Sequence, residues 1–210
     1  MKNSILKFAT ILLISTQSFA QDNDFRERLT GGLKVGGNIS NVYDTQGEDF
    51  QANAKLGFAG GAFISIPIGK YLGVQPEILI SQKGFQGSGK LLGSPYDFSR
   101  TTTFVDVPLL FAFKPLSFFT IVLGPQYSYL VHQKDVFSSA INTSAQETEF
   151  NNDNIRKNIL CGIGGVDFTV NHVVVGLRAG ADFQKNNGSV NSTTPRYKNV
   201  WYQATIGFRF

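Results

Sequence analysis

The sequence is poor in the residues that most often carry redox, metal or nucleophilic chemistry. Among 210 residues there is one cysteine, Cys161, and there are two histidines, His132 and His172. A lone cysteine closes no internal disulfide, and no CxxC or Cys/His spacing suited to zinc occurs. Charged residues make up only 16%, and no run of Lys or Arg forms a nucleic-acid patch. Beyond the first twenty residues no stretch reaches the roughly 18 uncharged apolar residues of a membrane-spanning helix. What is plentiful is glycine (22), phenylalanine (19) and tyrosine (7), within a composition that is 42% hydrophobic. That is too apolar for a disordered chain.

Residues 1–20 read as a secretory signal peptide. Lys2 and Lys7 give a basic start, Phe8-Ala-Thr-Ile-Leu-Leu-Ile-Ser15 a short apolar core, and Ser18-Phe19-Ala20 a small-x-small cleavage site. Without the two lysines the formal charge falls from +4 to +2, so much of the basic balance belongs to this segment. The organisation expected is a signal peptide at 1–20, a short periplasmic segment at 21–30 and one β-barrel domain at 31–210.

The remainder alternates apolar and polar with a period of two. Eight such segments stand at 31–41, 54–67, 71–85, 101–114, 118–132, 156–170, 173–185 and 198–210. Each is long enough for the 9–11 or so residues of a tilted transmembrane strand. Sorted by parity, one face collects 44 positions without a single charge, among them Leu33, Ile64, Ile78, Leu109, Leu123, Leu177 and Ile206. The opposite face holds Lys34, Glu77, Lys83, Asp106, Asp167, Arg178, Asp182 and Arg209. A soluble barrel or sandwich would turn the apolar face inward, whereas a membrane barrel turns it to lipid.

Three features decide for the membrane. The signal peptide exports the chain. Links near 67–70, 115–117 and 171–172 are short, while those near 42–53, 86–100, 133–155 and 186–197 are long and polar, matching short periplasmic turns and long outer loops. The last strand ends on alternating Tyr202, Phe208 and Phe210, which looks like a C-terminal signal for the outer-membrane assembly machinery. Phe113, Phe119, Phe168 and Phe210 at the short-turn ends, with Phe58, Tyr129, Phe183 and Tyr202 at the long-loop ends, suit two interfacial girdles. The fold expected is all-β, an eight-stranded antiparallel transmembrane barrel in a bacterial outer membrane.

Five segments resemble the PorT-like outer-membrane β-barrel proteins of Bacteroidetes-type bacteria. They are Gly31-Gly-Leu-Lys-Val-Gly-Gly-Asn-Ile-Ser-Asn41, Val74-Gln-Pro-Glu-Ile-Leu-Ile-Ser-Gln-Lys-Gly84, Phe104-Val-Asp-Val-Pro-Leu-Leu110, Gly124-Pro-Gln-Tyr127 and Ile206-Gly-Phe-Arg-Phe210. The resemblance spans the exported chain and implies an eight-stranded outer-membrane barrel. It offers no catalytic motif, and the namesake's link to a secretion and maturation system does not follow from a shared fold.

Gly84-Phe-Gln-Gly-Ser-Gly89-Lys90 matches GxxxxGK, but Leu91 replaces the Ser/Thr that would hold magnesium, and Gly93-Ser94-Pro95 forbids the helix that should follow. It reads as a flexible outer loop. His132 stands near Ser128 and Ser138, a weak hint of a nucleophile and base. Cys161 has lumen parity and reads as a small apolar filler. The lumen charges, four of each sign, read as a structural network of pairs inside a barrel too narrow for a pore, together with bulky Phe63, Leu79, Leu110 and Trp201.

The leading reading is a non-enzymatic outer-membrane protein, with no catalytic residue, metal or cofactor. It displays four extracellular loops for surface binding, adhesion or envelope maintenance. A narrow channel for small solutes and a lipid-modifying enzyme are the alternatives. The partners expected are outer-membrane lipid, the assembly machinery and an extracellular ligand of the long loops. Nucleic acid is not among them, and the barrel is expected to be a monomer.

Overall fold

The computed structural model describes residues 24–46, 51–91, 94–139, 143–148, 155–187 and 196–210. The expected signal peptide lies outside them, as do parts of the links at 42–53, 86–100, 133–155 and 186–197. Nine strands occur among the described residues: β1 (Thr30–Gln46), β2 (Gln51–Pro67), β3 (Leu72–Leu91), β4 (Ser94–Leu116), β5 (Phe119–Ser139), β6 (Thr143–Thr148), β7 (Asn158–Val170), β8 (Val173–Asp182) and β9 (Arg196–Arg209). All pairings are antiparallel. Each barrel strand pairs with its sequence neighbour, β5 with β7, and β9 returns to β1 from Gly32↔Arg209 to Gln46↔Arg196. The result is a closed eight-stranded barrel. β6 stands outside the ring and pairs only with the far end of β5, from Gln133↔Thr148 to Ser138↔Thr143.

The strands outrun the sequence reading on one side. Residues 86–91 and 94–100, expected as a loop, continue β3 and β4 as an unbroken ladder to Leu91↔Ser94. The stretch that mimics a P-loop is therefore strand. Glycine, serine and proline there mark turn-like composition, but a ladder already running out of the barrel lowers the cost of adding each further pair, because it satisfies the backbone N–H and C=O groups. The longest expected loop, 133–155, likewise begins as the β5–β6 hairpin.

The short turns match expectation. Gly69 sits at φ 135° between β2 and β3, where a side chain would be strained, and Asn171 takes a left-handed φ of 53° between β7 and β8.

Solvation is inverted relative to a soluble protein. Leu56, Phe111, Leu123, Tyr202 and Phe210 are each at least 65% exposed, whereas Lys34, Glu77, Lys83, Asp106, Arg178 and Asp182 are under 9% exposed. None of the 44 positions of the uncharged face is buried. Water would penalise this arrangement by roughly 25 cal/mol for every Å² of apolar surface left exposed. A hydrocarbon surround removes that penalty, and the fold is that of a membrane barrel.

Replacing Ile78 or Leu109, near mid-belt, with Arg should destabilise the folded barrel by about 2–4 kcal/mol, and Leu116→Arg, beside the β4–β5 turn, by about 0–1 kcal/mol. Urea titration in lipid vesicles measures both; equal costs would place the belt elsewhere.

Candidate functional site: the filled lumen

All eight charges assigned to the inner face are buried inside the barrel, and seven of them, all but Arg209, assemble in two tiers. In the lower tier Glu77 of β3 is the hub. Lys34 of β1 donates to its Oε2, Gln75 donates to its Oε1 at 2.9 Å, and Arg178 Nη2 of β8 approaches that oxygen at 3.8 Å. The same Nη2 donates to Asp167 of β7 at 2.7 Å. Antiparallel pairing places Arg178 opposite Gly165 and Gly176 opposite Asp167, so the guanidinium crosses diagonally over small residues to reach its carboxylate.

In the upper tier Lys83 of β3 pairs with Asp106 of β4 at 3.1 Å, and Ser81 donates to the same carboxylate. The Lys83 ammonium lies 3.8 Å from the centroid of the Trp201 ring and 4.8 Å from that of Phe104. The carboxylate on one side and the π faces on the other take the place of water around the ammonium. Trp201 needs Gly180 opposite it on β8, where a Cβ would come within 2.3 Å of the indole. Asp182 accepts from Asn199 through its backbone N–H at 3.0 Å and its side chain at 2.6 Å.

Glu77 and Asp106 sit on adjacent strands but in different tiers, and Arg178 bonds Asp167 of the neighbouring strand, while Asp182 on its own strand bonds Asn199. Cys161 packs, fully buried, with Phe104, Leu130, Ile159 and Trp201 as a small filler, and it adds polar contacts: its thiol donates to Asp182 at 3.1 Å and lies 3.4 Å from the Ser128 hydroxyl. His132 and Ser128 do not converge. Thr103 opposes His132 while Phe104 opposes Leu130, so Val131 is an extra residue. That bulge reverses the parity of β5, burying Ser128 and exposing His132. His172 lies in the β7–β8 turn, its Nδ1 2.8 Å from the Arg209 carbonyl oxygen.

Beyond the apolar belt, on the long-strand side, a cap closes the lumen that sequence reading did not anticipate. Arg100 of β4 donates from Nε and Nη2 to both oxygens of Asp135 of β5, at 2.8 and 2.7 Å, and from Nη1 to the Tyr197 hydroxyl at 3.3 Å. Phe85, Phe98 and Tyr197 surround the guanidinium within 6.0 Å. Burial pulls the Arg100 pKa down, and facing Tyr197 and Asp135 more than offset that, so it stands above its ordinary value. Arg100 and Asp135 lie past the expected strand ends, which hid them.

The opposite mouth is covered by the segment leading into β1. Arg26 holds the Asp24 carboxyl down at about 2, mainly through its side-chain hydrogen bonds. Beneath lie Arg209, which joins no tier, and Lys114 of β4, buried and missed by the sequence reading although it has lumen parity. Tyr202, Phe208 and Phe210 all face outward. Phe210 and Gly31 exchange backbone hydrogen bonds of 2.9 and 3.2 Å across the β1–β9 seam.

Glu77→Ala leaves Lys34 buried without its carboxylate and should cost about 3–5 kcal/mol, while the paired change Lys34→Met with Glu77→Met should cost much less. Unfolding midpoints in vesicles compare the two. Deleting Phe210 removes both seam bonds and the terminal aromatic, and should lower insertion in cells; normal heat-modifiable, surface-exposed protein would count against that role.

Solved structures similar to this chain include Ail, the attachment invasion locus protein of Yersinia pestis, in complex with the heparin analogue sucrose octasulfate, at 15% identity, covering 87% of this chain and 99% of that one with a TM-score of 0.47. Neisserial surface protein A is similar at 10% identity, 87% and 97% coverage and a TM-score of 0.47. The outer membrane protease OmpT of Escherichia coli is similar at 9% identity, 91% and 100% coverage and a TM-score of 0.43. No curated protein matches. A family model described as outer membrane protein beta-barrel domain matches residues 19–208, nearly the whole chain. This chain belongs to that family, and its place is the bacterial outer membrane.

Proposed function

We propose that this chain is a plugged, non-enzymatic outer-membrane barrel whose work is done by the strands that project from it, in surface binding, adhesion or envelope maintenance. The observation that carries this reading is the contrast between lumen and rim. The lumen is filled by paired charges and large side chains, with Leu79, Leu110 and Trp201 all at most 1% exposed. The rim is built up instead: β3, β4 and β5 run to 20, 23 and 21 residues. About 9–11 would cross the membrane. Their outer parts form a paired, twisted surface rather than loose loops, which limits the ordering cost of meeting a partner. Within the family, the five motifs between Gly31 and Phe210 favour the PorT-like branch.

Reading the chain as non-enzymatic also fits β5, where the bulge at Val131 separates Ser128 from His132. The lumen favours a plug over a channel, because a path through the lower tier would break the Lys34–Glu77 and Arg178–Asp167 pairs together.

Two measurements test the proposal. Purified monomer in planar bilayers should show no stable porin-like conductance, and Glu77→Ala should alter stability without opening a selective current; steady voltage-independent openings would promote the channel. On intact cells, crosslinking should yield surface partners that are lost when residues 86–99 or 134–148 are replaced by short turns. Partners unchanged in both variants would remove the projecting hairpins from the function.

A further inference from the structure

We propose that the mouth of the barrel beside the chain termini is a binding site for a phosphate-type oxoanion, formed by Lys114 and Arg209 beneath Phe25 and Arg26. These two cations are 4% and 9% exposed and line one narrow cavity with Ser65, Thr120 and Thr169. Neither has a carboxylate partner among the described residues. Lys114 Nζ donates only to neutral oxygens, the Ser65 hydroxyl at 3.1 Å and the Arg26 carbonyl at 3.3 Å. Arg209 is less satisfied still: its Nε and Nη2 have no hydrogen-bond partner there. Asp167 also lines the cavity, but its charge is taken up by Arg178 at 2.7 Å, and Asp24 is taken up by Arg26.

Two buried like charges with open donors are costly in a low-dielectric mouth unless an anion joins them. The geometry of the donors suits an oxoanion. Nε and Nη2 make up the side edge of a guanidinium, which takes two oxygens of a phosphate or carboxylate in parallel. Lys114 adds a point charge, and the Ser65, Thr120 and Thr169 hydroxyls can donate to the remaining oxygens. The segment above is lightly held. Arg26 Nη1 reaches the Pro115 carbonyl at 3.4 Å, and the Phe25 ring rests against His172 at 5.7 Å and over the Arg209 guanidinium at 4.8 Å. Admitting a group larger than the cavity now holds requires this segment to lift. The same chemistry is offered by free phosphate and by the phosphate of a lipid headgroup.

The test uses the whole refolded barrel and inorganic phosphate as probe, followed by calorimetry and by the shift in thermal unfolding. In micelles of a phosphate-free glucoside detergent, binding should be saturable, and Lys114→Gln and Arg209→Gln should each weaken it by about tenfold, the scale of one charge-assisted contact. Lys55→Gln at the opposite end should leave it unchanged. If Arg209→Gln fails to fold, Lys114→Gln carries the comparison alone. Repeating the titration in phospholipid nanodiscs separates the sources: binding retained there identifies a soluble anion, and binding blocked there identifies the lipid phosphate. No saturable binding in micelles, or binding equally strong in the Lys114→Gln barrel, overturns the proposal.

Discussion

Hydrocarbon offers no partner to a backbone N–H or C=O, and everything else in this molecule follows from that. Strands can cross lipid only when every ladder is closed, so β9 must return to β1, and the seam from Gly31 to Phe210 is as necessary as any hairpin. Closing eight strands fixes a narrow bore. The outer face must then be apolar along its whole length, and the period of two sends the polar side chains inward, where no bulk water solvates them. Burial of charge is here a consequence of crossing the membrane with β-structure.

Inside so narrow a bore the charges must solvate one another. Each tier does so with atoms from several strands: Lys34, Glu77, Asp167 and Arg178 join β1, β3, β7 and β8, and Lys83 and Asp106 join β3 and β4, with the Lys83 ammonium also over Trp201 of β9. Replacing such a pair with apolar groups is often neutral or better for stability, so their value is better sought in specificity. A one-residue slip of any strand would turn charges to lipid and leucines to the lumen, and interlocked pairs across non-adjacent strands penalise that error twice.

Much of this was legible in the sequence because the membrane enforces a binary rule at every residue of the belt. Parity placed the eight inner charges and the lipid face, and it could have placed Lys114 too, the last residue of the 101–114 segment, since 106, 108, 110, 112 and 114 share a face. Where the membrane stops, the rule stops. The outer halves of β3, β4 and β5 are apolar on neither face consistently, so their pairing to Leu91 and Ser139, and with it the Arg100–Asp135 cap, carries no periodic signal. A single inserted residue, Val131, broke the count within β5. Partner choice within the lumen was also hidden. Arg178 could reach Asp167 or Asp182 on sequence grounds, and the choice falls to strand stagger and to the small residues Gly165 and Gly176 between them.

The inner charges identified by parity balance in number, yet they do not balance in place. Toward the long-strand end, Arg100 is matched by Asp135 and capped by aromatic rings. At mid-depth every cation has a carboxylate within reach. At the end beside the termini, Lys114 and Arg209 add two positive charges that no described carboxylate answers. The zero sum from parity omits Lys114, so the bore carries an excess of positive charge at this mouth and, with it, a gradient along its length. Such a gradient attracts anions into one mouth, while the paired tiers above it leave them no sequence of open sites to follow. The same arrangement that makes this mouth a place to hold an anion makes the barrel a poor route for passing one.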